Sequence, residues 1–235
     1  MLKRQLLNHS SNKQKRRKYS LIIMKKCFSF ALALCLAGLG FGANVVHGQD
    51  EPYNHYNPGF YFNGDVGVNF ASRLGSGVPD DSTELNPGVR GDLAIGYAIG
   101  LGHHLALAPE FEAGAIYNSF GNGFYGGQST SGGGDLVQVP LLINLVLSYQ
   151  INPRWSVYGG FGVGVEYSKA SVNNSNGSLA FTDDQGGLAF QVKAGVEYRL
   201  GPGELGLSYE YLNYAAIFYN NENNNTIAAS YTIHF

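Results

Sequence analysis

The sequence predicts an all-β fold, an eight-stranded antiparallel up-and-down transmembrane barrel over 58–235, with short periplasmic turns and four long outer loops. Three observations predict it. Apolar and polar residues alternate with a period of two in eight separate segments, as in strands whose two faces meet different surroundings. The connections alternate in length: about sixteen residues at 71–86, four at 100–103, seventeen at 118–134, five at 150–154, nineteen at 168–186, three at 201–203 and thirteen at 213–225. Aromatic rings gather near the ends of the apolar faces, while the opposite faces carry charges of both signs. Alternation by itself also fits a soluble sandwich. One end made of tight turns and the other of long polar loops, with aromatic residues at headgroup level, is the pattern of a membrane barrel.

Each strand is justified in turn by its two faces. The first sets Phe60, Phe62, Val66, Val68 and Phe70 against Tyr61, Asn63, Asp65 and Asn69. In the second, Val89, Leu93, Ile95, Tyr97 and Ile99 oppose Arg90 and Asp92; in the third, Leu105, Leu107, Phe111, Ala113 and Ala115 oppose Glu110 and Glu112. The fourth runs from Val137 to Tyr149 on odd positions against Gln138, Asn144, Ser148 and Gln150. The fifth pairs Trp155, Val157, Phe161, Val163, Val165 and Tyr167 with Arg154, Ser156, Tyr158 and Glu166. In the sixth, Leu188 to Leu200 on even positions face away from Gln191, Lys193, Glu197 and Arg199; in the seventh, Leu205, Leu207, Tyr209 and Tyr211 face away from Glu204, Ser208 and Glu210. The closing segment TIAASYTIHF turns Ile227, Ala229, Tyr231, Ile233 and Phe235 to lipid and Thr226, Ser230, Thr232 and His234 to the lumen.

Residues 1–48 hold nine of the fifteen Lys and Arg and no acidic residue. Met24, Lys25 and Lys26, the apolar run Phe28–Phe41 and the small-residue site at Val46, His47 and Gly48 read as a secretory signal, preceded by an N-terminal extension. A short periplasmic segment, 49–57, follows. Both cysteines, Cys27 and Cys35, fall within the signal, so the mature barrel is expected to have neither disulfides nor thiolate ligands. Its 187 residues carry six basic and seventeen acidic side chains, a formal charge of minus eleven, which argues against nucleic acid as a partner.

The membrane demands closure, because an open edge would leave amides and carbonyls unpaired in hydrocarbon. The eighth strand must therefore pair with the first. Pro109, outward, and Pro140, inward, lack a ladder donor and are expected at bulges. Eight strands leave an interior that side chains can fill. The inward charges Asp65, Arg90, Asp92, Glu110, Glu112, Glu166, Lys193, Glu197, Arg199 and Glu210 are read as a neutralising network. With Arg154 added, seven carboxylates face four cations, an excess for water or a cation to balance.

Three stretches, GFYFNGDVGVNF, VKAGVEYRLGPGELGLSYEY and the terminal YTIHF, resemble the superfamily of eight-stranded outer-membrane barrels that includes the opacity proteins and the membrane domain of outer membrane protein A. The resemblance covers about 58–235. It implies residence in the lipid of the cell outer membrane and recognition of the last strand by the assembly machinery; Tyr231, Ile233 and Phe235 match that signal residue by residue.

The function expected is that of a structural or surface-interacting barrel, a monomer with no chemistry of its own, whose outer loops meet a host or envelope surface. The alternatives are a narrow conduit for small solutes or cations and, with less support, a lipid-active enzyme. No catalytic residue, cofactor or metal is assigned. His55, His103, His104 and His234 do not join a serine and a carboxylate near the outer leaflet, GNGFYGGQSTSGGG lacks the lysine of a phosphate loop, and the acidic pairs at 80–81 and 183–184 lack calcium-loop spacing.

Overall fold

The computed structural model describes residues 59–72, 74–75, 82–101, 104–125, 128–129, 133–173, 179–216 and 221–235. The signal assigned to 1–48, the segment 49–57, His55, His103 and the tips of the outer connections lie outside the described residues. Eight long strands follow one another among those described: β1 (Gly59–Ala71), β2 (Gly88–Gly100), β3 (Leu105–Tyr125), β4 (Gly134–Gln150), β5 (Trp155–Asn173), β6 (Leu179–Leu200), β7 (Gly203–Ala216) and β8 (Asn221–His234). Each pairs antiparallel with its chain neighbours, and β8 returns to β1 from Tyr61↔His234 to Ala71↔Asn224. The ring is closed, so no edge is left within the hydrocarbon.

Burial follows the alternation. Outward residues are exposed to what surrounds the barrel: Val66 60 %, Ile143 67 % and Leu207 56 %, with Ile95, Phe161 and Val192 alongside them. In a soluble protein these side chains would form the core, so the exposed belt identifies the solvent as lipid. Aromatic rings mark its two borders. Phe60 with Tyr97 and Trp155 with Tyr198 form edge-on pairs at the periplasmic end, each with ring centroids 4.9 Å apart. Phe70, Tyr167 and Tyr209 lie exposed at the outer border. Phe60 and Phe70 are ten positions apart; at about 3.3 Å per residue and a tilt of roughly 40° they are about 25 Å apart along the normal, the height of an outer-membrane apolar band.

The two ends differ. On the periplasmic side β6 passes to β7 through Gly201 and Pro202, where Gly201 takes a φ of 63° that other residues resist. On the outer side much of the long connections is strand. The β5–β6 hairpin stays paired from Trp155↔Tyr198 out to Asn173↔Leu179, and β3 continues to Tyr125. In the first outer connection, Leu74–Gly75 pairs with Ser82–Leu85, which in turn pairs with β3. Much of each predicted loop is therefore strand among the described residues, because backbone leaving the bilayer is most simply satisfied by prolonging the ladder it already forms.

The prolines correct an expectation. Neither Pro109 nor Pro140 sits at a bulge. Pro109 pairs with Leu145 on β4, and Pro140 with Glu166 on β5. On the other side of each, the ladder skips two pairs and resumes in the same register, as in Gly96↔Glu110 and Ile99↔Leu107. An antiparallel residue directs both its N–H and C=O to one neighbour, so each proline disrupts pairing with one strand alone.

Candidate functional site

The inward side chains meet across the lumen. At the centre is Arg90, 1 % exposed. Its Nε donates to Asp92 Oδ2 at 2.6 Å, and its Nη2 donates to Glu112 Oε1 at 3.0 Å and to Gln191 Oε1 at 2.7 Å. Glu210 Oε2 lies 3.2 Å from Nη1. One planar cation thus reaches residues on β2, β3, β6 and β7, which suits the forked geometry of a guanidinium. Beside it, Lys193 donates to Glu110 at 2.5 Å and to Glu112 at 2.9 Å. Asn144 from β4 donates to the same two carboxylates at 2.8 Å each, and Tyr61 donates to Glu110 at 2.8 Å.

Small residues make room for this layer. A Cβ on Gly96 would overlap the ring of Tyr61, and one on Gly114 would overlap the carboxylate of Asp92. The polar layer is bounded along the barrel by apolar ones. Ile116, Leu142, Ala189 and Leu212 pack together, as do Phe120, Leu136, Ala170 and Val172 with Leu85 on the outer side. Asn69 adds a polar tie, donating to Asn118 at 2.9 Å and to Asn224 at 2.8 Å. Toward the periplasm, Tyr61, Ala98, Ala108 and Val146 pack with Tyr158, and a cavity extends from His234 and Glu204 at the mouth to Asp65 and Glu210.

The structure brings most of the predicted network together. Asp92, Arg90, Glu110, Glu112, Lys193 and Glu210 form one connected cluster, with Asp65 next to Asp92 across the β1–β2 ladder. Glu166 is buried but stands apart, accepting from Gln138 at 2.6 Å. Glu197 accepts from Thr232 and Ser156, at 3.3 and 3.4 Å. Arg199 is a rim residue with a half-exposed side chain, 3.0 Å from Glu204. Arg154 is not inward: it lies exposed in the turn before β5, its guanidinium reaching the Tyr198 hydroxyl. Turn geometry, not strand alternation, directs its side chain. Five participants outside the predicted set are Tyr61, Asn144, Gln191, Gln138 and Glu204. Their inward parity was readable; their partners, set by packing across the lumen, were not.

Among the described histidines, His234 lies 3.5 Å from Glu204 within the mouth, and His104 packs near Tyr149 in a periplasmic turn. At the same end, Tyr231 and Ile233 pair with Gly64 and Phe62 in the closed ladder, and Phe235 donates its N–H to the carbonyl of Phe60 at 2.9 Å.

Residues 31–235 match the model of the outer membrane protein β-barrel domain family. The chain belongs to that family. Membership agrees with the closed ring and the lipid-facing belt, and it places the protein in the cell outer membrane, embedded in its lipid. Among curated protein sequences no relative matches. Solved structures of similar fold include Neisserial surface protein A, at 20 % identity over 75 % of this chain and 97 % of that one, with a TM-score of 0.43. Another is Ail, the attachment invasion locus protein of Yersinia pestis, at 13 % identity, 74 % and 98 % coverage and a TM-score of 0.40. The outer membrane enzyme PagL is similar at 14 % identity, 73 % and 98 % coverage and a TM-score of 0.41.

Proposed function

We propose that this barrel is a structural and surface-interacting protein of the outer membrane, with no chemistry of its own, acting through its outer stems and tips. The observation that carries this reading is the filled lumen: Arg90 and Lys193 bridge strands across it, and apolar layers pack next to the charged one. A conduit needs a continuous wet path, and across the central layer most of the groups that would line it are bonded to one another. The outer stems offer a different surface. Lys169, Thr182 and Asp184 project exposed from β5 and β6 beyond the aromatic border, and Tyr209 and Tyr211 donate to Asn225 and Asn223 at 2.6 and 2.7 Å. Paired stems present a pre-ordered surface at low entropic cost, a property suited to binding. Folding by way of the outer-membrane assembly machinery belongs to the same reading.

Cells with and without the gene, presented with host and envelope surfaces, test it. Cells expressing the protein are expected to bind at least one such surface, and replacing 174–178 and 217–220 with short glycine-serine turns should remove that binding while leaving the barrel folded. Equal binding with and without the gene across the surfaces sinks the surface-interaction role.

A further inference from the structure

Asp65 on β1 and Asp92 on β2 are direct cross-strand partners on the inward face, an arrangement in which like charges repel. Glu210 on β7 joins them, and one oxygen from each of the three lies within 4.8 Å of the others. Asp92 and Glu210 are 2 % and 3 % exposed. Asp92 spends Oδ2 on Arg90; with both carboxyls ionised, its buried Oδ1 and the buried Oδ1 of Asp65 face no hydrogen-bond donor. Glu210 accepts from Ser208 through Oε1, while Oε2 faces Arg90 Nη1 at 3.2 Å without hydrogen-bond alignment. The connected cluster sets five carboxylates, Asp65, Asp92, Glu110, Glu112 and Glu210, against two cations, Arg90 and Lys193, a formal charge of minus three. Buried charge of one sign needs a partner.

We propose that Asp65, Asp92 and Glu210 bind a divalent hard cation of calcium's size, admitted through the cavity that links the periplasmic mouth to Asp65 and Glu210. Carboxylate oxygens select hard cations. Calcium accepts oxygen ligands in flexible geometry, whereas magnesium demands a near-ideal octahedron and dehydrates reluctantly, so three carboxylates positioned by strand stagger suit calcium better. Bound there, the ion lowers the cluster's charge to minus one. It also joins strands that do not touch: β8, the closing strand, lies between β7 and β1, so an ion held by Glu210 and Asp65 acts as a clasp across the seam of the barrel.

The test uses the full mature chain refolded in detergent, with calcium chloride as the probe after removal of divalent ions by chelator. Wild-type protein is expected to bind calcium in a calorimetric titration and to melt at higher temperature with it, magnesium being weaker. Asp65→Asn should weaken calcium binding at least tenfold and remove the rise in Tm. In chelator, the same variant should melt no lower than wild type, since it relieves the repulsion with Asp92. Glu210→Gln provides the same readout should Asp65→Asn fail to refold, and Asp184→Asn on the outer stem should leave the response intact. A wild-type barrel indifferent to calcium overturns the proposal, as does a response that survives both lumen substitutions or disappears with Asp184→Asn. Stability that rises on acidification with no calcium response assigns the excess charge to protons and overturns it equally.

Discussion

Replacing Arg90 with methionine is expected to destabilise the folded barrel by about 3–5 kcal/mol, the cost of leaving buried charges without their partner. Arg90 neutralises Asp92, Glu112 and Glu210 and also donates to Gln191. Methionine fills much of the stem's volume, so packing loss contributes less than the stranded carboxylates. The magnitude is set by burial: the Arg90 side chain is fully buried, whereas that of Arg199 is 50 % exposed beside Glu204. Arg199→Met should therefore cost well below that, because half of the Arg199 side chain is in solvent and buried Glu204 keeps His234 beside it. Reversible urea unfolding from lipid vesicles, with both variants measured alongside wild type, checks the contrast. Adding Asp92→Asn to Arg90→Met should recover part of the loss, because it removes the charge left without its Arg90 partner; full additivity of two destabilising changes would contradict the network.

Phe235→Asp is expected to abolish most of the folded outer-membrane yield in cells, while His234→Gln retains it. Phe235 is 70 % exposed on the lipid side and its N–H closes onto Phe60. His234 faces the lumen near Glu204. An acidic residue near the interface costs the finished barrel only about 0–1 kcal/mol, too little to prevent folding. The large effect should therefore appear in assembly and not in stability. Folded yield in cells and refolding in vitro separate the two: loss in cells with near-normal refolding in vesicles is the expected pair of results. Equal cellular yields for the two variants contradict the assignment of Tyr231, Ile233 and Phe235 as the assembly signal.

Parity was the part of the fold most legible in the sequence. Because a strand alternates its faces strictly, Phe60 against Tyr61, or Ile143 against Asn144, needed no knowledge of neighbours, and the structure assigns these residues to the predicted sides. Closure followed from the membrane's demand for satisfied backbone. Partnership was not legible. Arg90 and Gln191 are 101 positions apart and meet because the tilt and stagger of the strands bring them level across the lumen. The same stagger gathers Asp65, Asp92 and Glu210 from three strands, which no local spacing announces. Alternation extended into the turn before β5 puts Arg154 on the wrong side. The outer stems carry no strand signal because strand that has left the bilayer, as in KASVN at 169–173, no longer needs an apolar face.

The central claim is that the lumen is filled and the protein works at its outer surface. Conductance of the purified barrel in planar lipid bilayers tests it most directly. A filled lumen predicts no reproducible current steps for the wild-type chain, and none for Glu110→Gln or Glu112→Gln. Steps of uniform size in the wild type, diminished by those lumen substitutions, would show an open path along the network and contradict the account.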